Sequence, residues 1–192
     1  MRKKSHISLA GYLLNNLNVD SLEQHKKAFY FGSIQPDIQP SFLTKKHTME
    51  ETFDILKKQI GQVTGEKRLE KGMTGTYCRK LGVITHYVAD YFTFPHNSVF
   101  AGTLKEHCRY EADLMRSLKA YVESEEAAKA RIKNGVIRTK EDIIEMIVRM
   151  HEEYLEHIRT IKNDINYIVE LCYRVIDAIL QIFERYQGRA LA

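Results

Sequence analysis

Residues 81–97 read LGVITHYVADYFTFPHN, and residues 105–114 read KEHCRYEADL. Each segment contains a histidine that is followed four positions later by a carboxylate: His86 with Asp90, and His107 with Glu111. Residues four apart on an α-helix lie on one face, one turn from each other. The two pairs therefore predict two helices that each present an imidazole and a carboxylate. Between them they could bind a divalent cation that accepts nitrogen and oxygen ligands, such as zinc.

The rest of the chain predicts an all-α fold. The sequence has 192 residues and only three prolines, all of them in its first half, which favours long uninterrupted helices. No segment alternates apolar and polar residues as a strand would, and no internal repeat occurs. We expect a multi-helix bundle in one domain, 1–192, with the metal-site part at about 1–122 and C-terminal helices at about 139–187.

Capping residues and apolar spacing place the individual helices. Ser21 with Gln24, and Thr139 with Asp142, are interpreted as capping boxes, and the last helix is expected to present a core face from Ile165 to Phe183. The segments 31–42 and 61–65 are interpreted as a loop and a break, and the basic stretch 129–140 separates the two parts of the chain. Pro95 should end the helix that carries the first pair, which leaves His96 on a loop. Helices are expected at about 5–17, 21–31, 48–60, 66 to just before Pro95, 104–122, 140–162 and 164–186.

Bulk properties narrow the function and the compartment. The net charge of +4 is too small to indicate nucleic-acid binding by itself. The cysteines Cys78, Cys108 and Cys172 form no C-x-x-C motif and are interpreted as free thiols of a reducing compartment. No segment reaches the ~18 apolar residues of a membrane span, and the N-terminal segment lacks a cleavage site, so we predict a cytoplasmic location.

Other histidines and acids widen the candidate site. Asp37 follows Pro36, and His6, His47 and His96 lie near the two pairs along the chain. A single histidine is usually a surface or core residue, but two pairs so close together are harder to explain in that way. The remaining histidines, in contrast, are interpreted as lying on solvated helix faces; they are His25, His151 and His157.

The ordered set of candidate residues resembles the zinc-dependent phospholipase C family, whose superfamily includes the single-strand-specific zinc nucleases. The resemblance rests on GSIQPDI, GVITHYVAD and EHCRYEADL, together with the spacing from Asp90 to His96, and it covers about the first 120 residues. It implies an all-helical fold with a cluster of three zinc ions. One zinc would be bound by Asp37, His47, His86 and Asp90, and a second by His96, His107 and Glu111. A third would be bound by His6 and by Asp90 as a bridging ligand.

The third site departs from the family pattern. In secreted members it is completed by the amino group and carbonyl of an N-terminal tryptophan. This chain contains no tryptophan, and five residues precede His6. We therefore expect two zinc ions, with a third possible only in a site that is short of ligands.

The resemblance implies hydrolysis of a phosphodiester by zinc-bound hydroxide, with Asp37 as the general base or the residue that orients water. The partner would be a phosphate-ester substrate, with phospholipid as one option, and nucleic acid is not favoured. A nuclease or nucleotide phosphoesterase of the same superfamily is the first alternative. The second is a metal-binding module that has lost turnover. An HD-type phosphohydrolase is disfavoured because no His-Asp dipeptide occurs.

Overall fold

A computed structural model describes residues 1–40, 46–129, 137–157 and 160–190 of the chain. The end of the predicted loop at 31–42, most of the basic stretch 129–140 and positions 158–159 of the predicted helix 140–162 lie outside the described residues. Every regular element that is described is helical, which confirms the all-α prediction. The α-helices are α1 (Lys3–Leu17), α2 (Asp20–Gln24), α3 (Lys26–Ile34), α4 (Met49–Thr64), α5 (Glu66–Leu69), α6 (Gly75–Tyr91), α7 (Leu104–Val122), α8 (Glu125–Lys129), α9 (Lys140–Glu156) and α10 (Ile161–Ala190).

Helix α6 lies at the centre of the fold. Thr74 caps it by accepting a hydrogen bond from the Tyr77 amide, and every residue from Leu81 to Tyr91 is buried. Helices α1, α3, α4 and α10 pack around it. Because the segment from Leu81 to Tyr91 is enclosed by other helices, its polar side chains face the interior of the protein and not solvent.

Two glycines bring α3 and α6 into backbone contact. A Cβ atom added to Gly32 would lie 1.9 Å from the Arg79 carbonyl oxygen, and one added to Gly82 would lie 2.2 Å from the Phe29 carbonyl oxygen. No side chain fits at either position without moving one helix away from the other. The missing side chains therefore set the distance between these two helices.

Helix α10 is the last helix of the chain and packs along one side of the bundle. Its predicted core face is confirmed, since the residues from Ile165 to Leu180 at helical spacing are buried, and Phe183 packs against the core from a partly buried position. The helix contacts α1, α4, α6, α7 and α9. Within the described ranges, no helix is both long enough and apolar enough to span a bilayer.

Several predicted helix limits are confirmed. Helix α7 has the predicted bounds and begins at a capping box formed by Thr103 and Glu106. Helix α9 begins at the predicted capping box of Thr139 with Asp142. Helix α6 ends at Tyr91, before Pro95 as expected, but the continuous helix expected from residue 66 is divided into α5 and α6. These limits depend on local chemistry, which a sequence displays directly.

Other limits were predicted wrongly. The expected helix at 21–31 is divided at His25, and it begins at Asp20 after an uncapped Val19 instead of through the predicted Ser21 capping box. The expected loop at 31–42 is helical up to Ile34 and continues as a 3-10 helix, Gln35–Ile38. Helix α4 runs through Gly61, because nothing there opposes helical geometry and an interior glycine costs a helix only about 1 kcal/mol.

His151 is also not where the sequence predicted. It was expected on a solvated face, but only 6% of it is exposed, and its Nε2 lies 2.8 Å from Asn97 Oδ1. The Asn97 side-chain amide in turn donates to the carbonyls of Tyr91 and Thr93. His151 thus links α9 to the turn that follows α6. His157 is exposed as predicted, and His25 is partly buried.

Candidate metal centre

The eight predicted ligands converge at one place in the interior of the bundle. Helix α6 presents His86 and Asp90 from its C-terminal half, and α7 presents His107 and Glu111. The other four come from α1, from the 3-10 helices Gln35–Ile38 and Phe94–His96, and from the residue before the Thr48 cap of α4: His6, Asp37, His47 and His96. Three groups of them are close enough to hold a metal ion: His6–Asp37–His86, His47–His86–Asp90 and His96–His107–Glu111.

Asp90 stands between two sets of donor atoms. Its side chain is fully buried, and its Oδ2 lies 3.0 Å from His47 Nδ1 and 3.1 Å from His86 Nε2. Its Oδ1 faces the opposite direction, 2.6 Å from the Met1 amino nitrogen and 3.4 Å from His6 Nε2. A carboxylate with this arrangement can bridge two cations, as the family resemblance implied.

The first pocket is built from His47, His86, Asp90 and Asp37. The ring nitrogens His47 Nδ1 and His86 Nε2 are 2.9 Å apart, and Asp37 Oδ1 lies 3.7 Å from the first and 3.8 Å from the second. Two imidazole nitrogens at this distance need a proton or a cation between them, because their lone pairs would otherwise repel. Nitrogen and oxygen donors facing one point are the set that zinc prefers.

An outer contact fixes the orientation of His86. Its Nδ1 lies 2.9 Å from the Ser33 carbonyl oxygen, at the C-terminal end of α3. A carbonyl oxygen only accepts hydrogen bonds, so Nδ1 carries the hydrogen and the lone pair of a neutral ring is at Nε2, facing the pocket. The Gly32–Gly82 crossing brings that carbonyl within reach.

The second pocket contains His96, His107 and Glu111. Glu111 Oε1 lies 3.1 Å from His96 Nε2 and 3.3 Å from His107 Nε2. The His107 side chain is 29% exposed, whereas those of His86 and Asp90 are fully buried. The cluster therefore opens to solvent on the α7 side.

At the expected third site the structure places one further donor, the amino group of Met1. The number of zinc ions stays a prediction. The Met1 amino nitrogen lies 2.6 Å from Asp90 Oδ1, 3.0 Å from His96 Nε2 and 3.2 Å from Glu111 Oε1. His6 stacks on the His86 ring, with 4.0 Å between their centroids, and reaches the same Asp90 oxygen. The absent tryptophan ring is thus not needed to bring an amino group to this pocket. A pattern of side-chain types gives no sign of this backbone donor.

The charged groups of the cluster shift one another's pKa values in opposite directions. Burial would raise the pKa of the Asp90 carboxyl, but the Met1 ammonium and the surrounding imidazoles hold that pKa well below its usual range. Burial lowers the pKa of the ammonium, yet Asp90 and Glu111 outweigh it and the pKa rises above its ordinary value. Burial and the neighbouring His86 lower the pKa of His6 to about 3, so His6 is neutral at pH 7.

The donor set passes a direct test of fit for a metal. Both ring nitrogens of His6 and the Nδ1 of His96 are buried without a hydrogen-bond partner in the described part of the chain. Buried polar atoms without a partner cost about 1–3 kcal/mol each, and neutral imidazole nitrogens are good zinc ligands. The cluster has the ligand chemistry of a metal centre more than that of a structural ion-pair network.

Comparison with known proteins agrees with this geometry. The family described as "Zinc dependent phospholipase C" matches residues 5–161, which include all eight side-chain ligands. No curated protein and no solved structure matches the chain. The match extends over most of the chain and includes α9, which lies beyond the roughly 120 residues that the sequence resemblance covers. The chain belongs to the zinc-dependent phospholipase C family.

Proposed function

We propose that this protein is a zinc-dependent phosphoric diester hydrolase of the phospholipase C type. The observation that carries the proposal is the position of Asp90, whose two oxygens face separate groups of nitrogen donors. Such a carboxylate is suited to neighbouring cations, and paired cations suit in-line displacement at phosphorus. Family membership supports the same chemistry.

The residues that would hold zinc follow from the distances. Asp37, His47, His86 and Asp90 surround the first position, and His96, His107 and Glu111 the second. His6, Asp90 and the amino group of Met1 would complete a third. Bound zinc polarises phosphoryl oxygens and lowers the pKa of water to near neutrality.

Asp37 is the residue we assign to proton transfer. It lies in the 3-10 helix Gln35–Ile38, and burial raises the pKa of its carboxyl in the absence of a metal. Zinc bound next to Asp37 would lower that pKa again, so the assignment rests on the position of Asp37 and on the family resemblance. Asp37 lies within 4 Å of His47 and His86, so it can orient a water at the edge of the first pocket.

The experiment combines metal analysis with turnover. Zinc content of the purified protein is measured first, and hydrolysis of bis(p-nitrophenyl) phosphate, phosphatidylcholine and single-stranded DNA follows. We expect His86→Ala and His107→Ala to lose zinc, whereas Asp37→Asn should retain zinc in the second pocket and lose most turnover. The exposed His157 supplies the matched control, His157→Ala, which should keep both.

The assay panel also separates the alternatives. Hydrolysis of DNA but not of phosphatidylcholine would establish the nuclease alternative, and zinc binding without any turnover would establish the non-catalytic module. The main reason for considering the module was a third site short of side-chain ligands, where the Met1 amino nitrogen lies 2.6 Å from Asp90 Oδ1. If neither histidine variant loses zinc, the ligand assignment is wrong. The substrate partner and the cytoplasmic location stay predictions.

A further inference from the structure

Asp164 is a buried carboxylate that does not belong to the metal cluster. It lies in the first turn of α10 and is 0% exposed. It also lies beyond the residues that match the family. An ionised side chain in the interior costs several kcal/mol unless it is well hydrogen-bonded, so its partners indicate what it is for.

Three donors from three different elements meet at this carboxylate. The Phe94 amide donates to Oδ2 at 2.8 Å, and the Tyr110 hydroxyl donates to the same oxygen at 2.9 Å. The Tyr154 hydroxyl donates to Oδ1 at 2.8 Å. Burial raises the pKa of Asp164 to about 6, and these hydrogen bonds act against the rise. Three donors to one carboxyl group favour its ionised form.

Two of the three donors lead directly to ligands of the second pocket. Phe94 begins the 3-10 helix that ends at His96. Tyr110 immediately precedes Glu111 on α7. Both donate to the same oxygen of Asp164, so this atom ties the segment that holds one ligand to the helix that holds the other two.

Aromatic contacts reinforce the same connection. The Phe94 ring lies edge-on to Tyr110 at 5.9 Å between centroids and to Phe100 at 5.3 Å. Phe100 in turn lies edge-on to His107 at 6.1 Å. The backbone of Phe94 is held by Asp164 while its ring packs among residues that border the pocket, so movement of one would displace the others.

We propose that Asp164 is a positioning residue that fixes the separation of His96 from His107 and Glu111 and so pre-organises the second metal pocket. The inference rests on the proposed metal function. A pocket whose ligands are already at the correct separation binds its cation more tightly, because less conformational freedom is lost on binding. Changes to such outer contacts typically lower metal affinity by about 10–100-fold.

Two tyrosines provide a matched test. Tyr110→Phe and Tyr154→Phe each remove one hydroxyl donor from the same carboxylate, but only Tyr110 leads to a ligand. Zinc affinity is measured by competition with a chromogenic chelator, and urea unfolding of the metal-free proteins records stability. We expect Tyr110→Phe to lower the affinity of the zinc in the second pocket by about 10-fold, whereas Tyr154→Phe should leave it within about 2-fold of wild type.

Asp164→Asn removes one acceptor oxygen and should lower the affinity at least as much as Tyr110→Phe does. Equal loss of zinc affinity in the two tyrosine variants, or no loss in Tyr110→Phe, would overturn the inference. If Asp164 only stabilised the fold, the two variants would lower the unfolding free energy without a difference in zinc affinity between them. Zinc binding by wild type with no hydrolysis of any diester would overturn the proposed activity and leave this comparison intact. Absence of zinc binding by wild type would overturn both.

Discussion

Replacing Gly82 with alanine tests whether the contact between α3 and α6 positions the metal ligands. The new Cβ would lie 2.2 Å from the Phe29 carbonyl oxygen, 2.7 Å from the Ser33 nitrogen and 2.9 Å from the Gly32 carbonyl carbon. All three atoms belong to the backbone of α3, so no side-chain rotation relieves the overlap. The helices must move apart by roughly 1 Å to reach ordinary contact.

The consequences have a calculable size. Overpacking of this kind costs about 1–3 kcal/mol of unfolding free energy. The movement also lengthens the 2.9 Å hydrogen bond between His86 Nδ1 and the Ser33 carbonyl, which sets the orientation of the His86 ring. Loss of such a contact behind a metal-binding histidine lowers metal affinity by about 10–100-fold. We therefore expect Gly82→Ala to lose both stability and zinc affinity in the first pocket.

The assay compares Gly82→Ala with Gly61→Ala. Gly61 also lies inside a helix, and a Cβ added there would meet nothing within 4 Å. The control should gain about 0.4–1 kcal/mol, because alanine restricts the unfolded chain more than glycine does. Urea unfolding gives the stabilities, and chelator competition gives the zinc affinities. A Gly82→Ala protein with wild-type stability and wild-type zinc affinity would refute the argument that this crossing sets the pocket.

Further predictions concern the metal, pH and the core. Zinc at 100 times its dissociation constant should raise the unfolding free energy by about 2.7 kcal/mol, and a thermal midpoint unchanged by chelator would contradict metal binding in the folded state. Burial lowers the pKa of His151, so protonation favours the unfolded chain, and the unfolding free energy falls as pH drops below about 6.5. In urea unfolding, His151→Gln, which cannot titrate, should lose less unfolding free energy than wild type between pH 7 and pH 5. Equal losses in the two proteins would contradict this. On α7, Leu114→Ala should cost about 2–5 kcal/mol in urea unfolding, and the 78% exposed Leu104 should tolerate alanine within about 0.5 kcal/mol; equal costs would contradict the described burial.

Local chemistry made much of the fold predictable. The His86–Asp90 and His107–Glu111 pairs depend only on helix periodicity, and both lie on helices at one site. The bounds of α7 follow from Thr103 and Glu106, which satisfy backbone amides within one turn. Each of these features is decided within a few residues of sequence, so long-range packing is not needed to infer it.

Tertiary contacts decide what the sequence could not show. RMHEEYLEHIR reads as a charged helix face, yet His151 is buried because Asn97, more than fifty residues earlier, offers it an acceptor. The position of Asp164 is similar: its acidic side chain looks like an ordinary first-turn residue of α10, and its partners come from three separate elements. A sequence pattern contains no information on which distant donors will meet a given acceptor.

The proposed third pocket also could not be read from side-chain types, because one of its donors is the amino group of Met1. The Met1 ammonium lies between the Asp90 and Glu111 carboxylates, which raise its pKa in spite of its burial. To bind zinc, the amine must release that proton, so zinc and protons compete for the same nitrogen. His6 differs, since burial already keeps it neutral and it can accept zinc without losing a proton. If zinc binds in this pocket, we therefore expect its binding to depend on pH mainly through the amine.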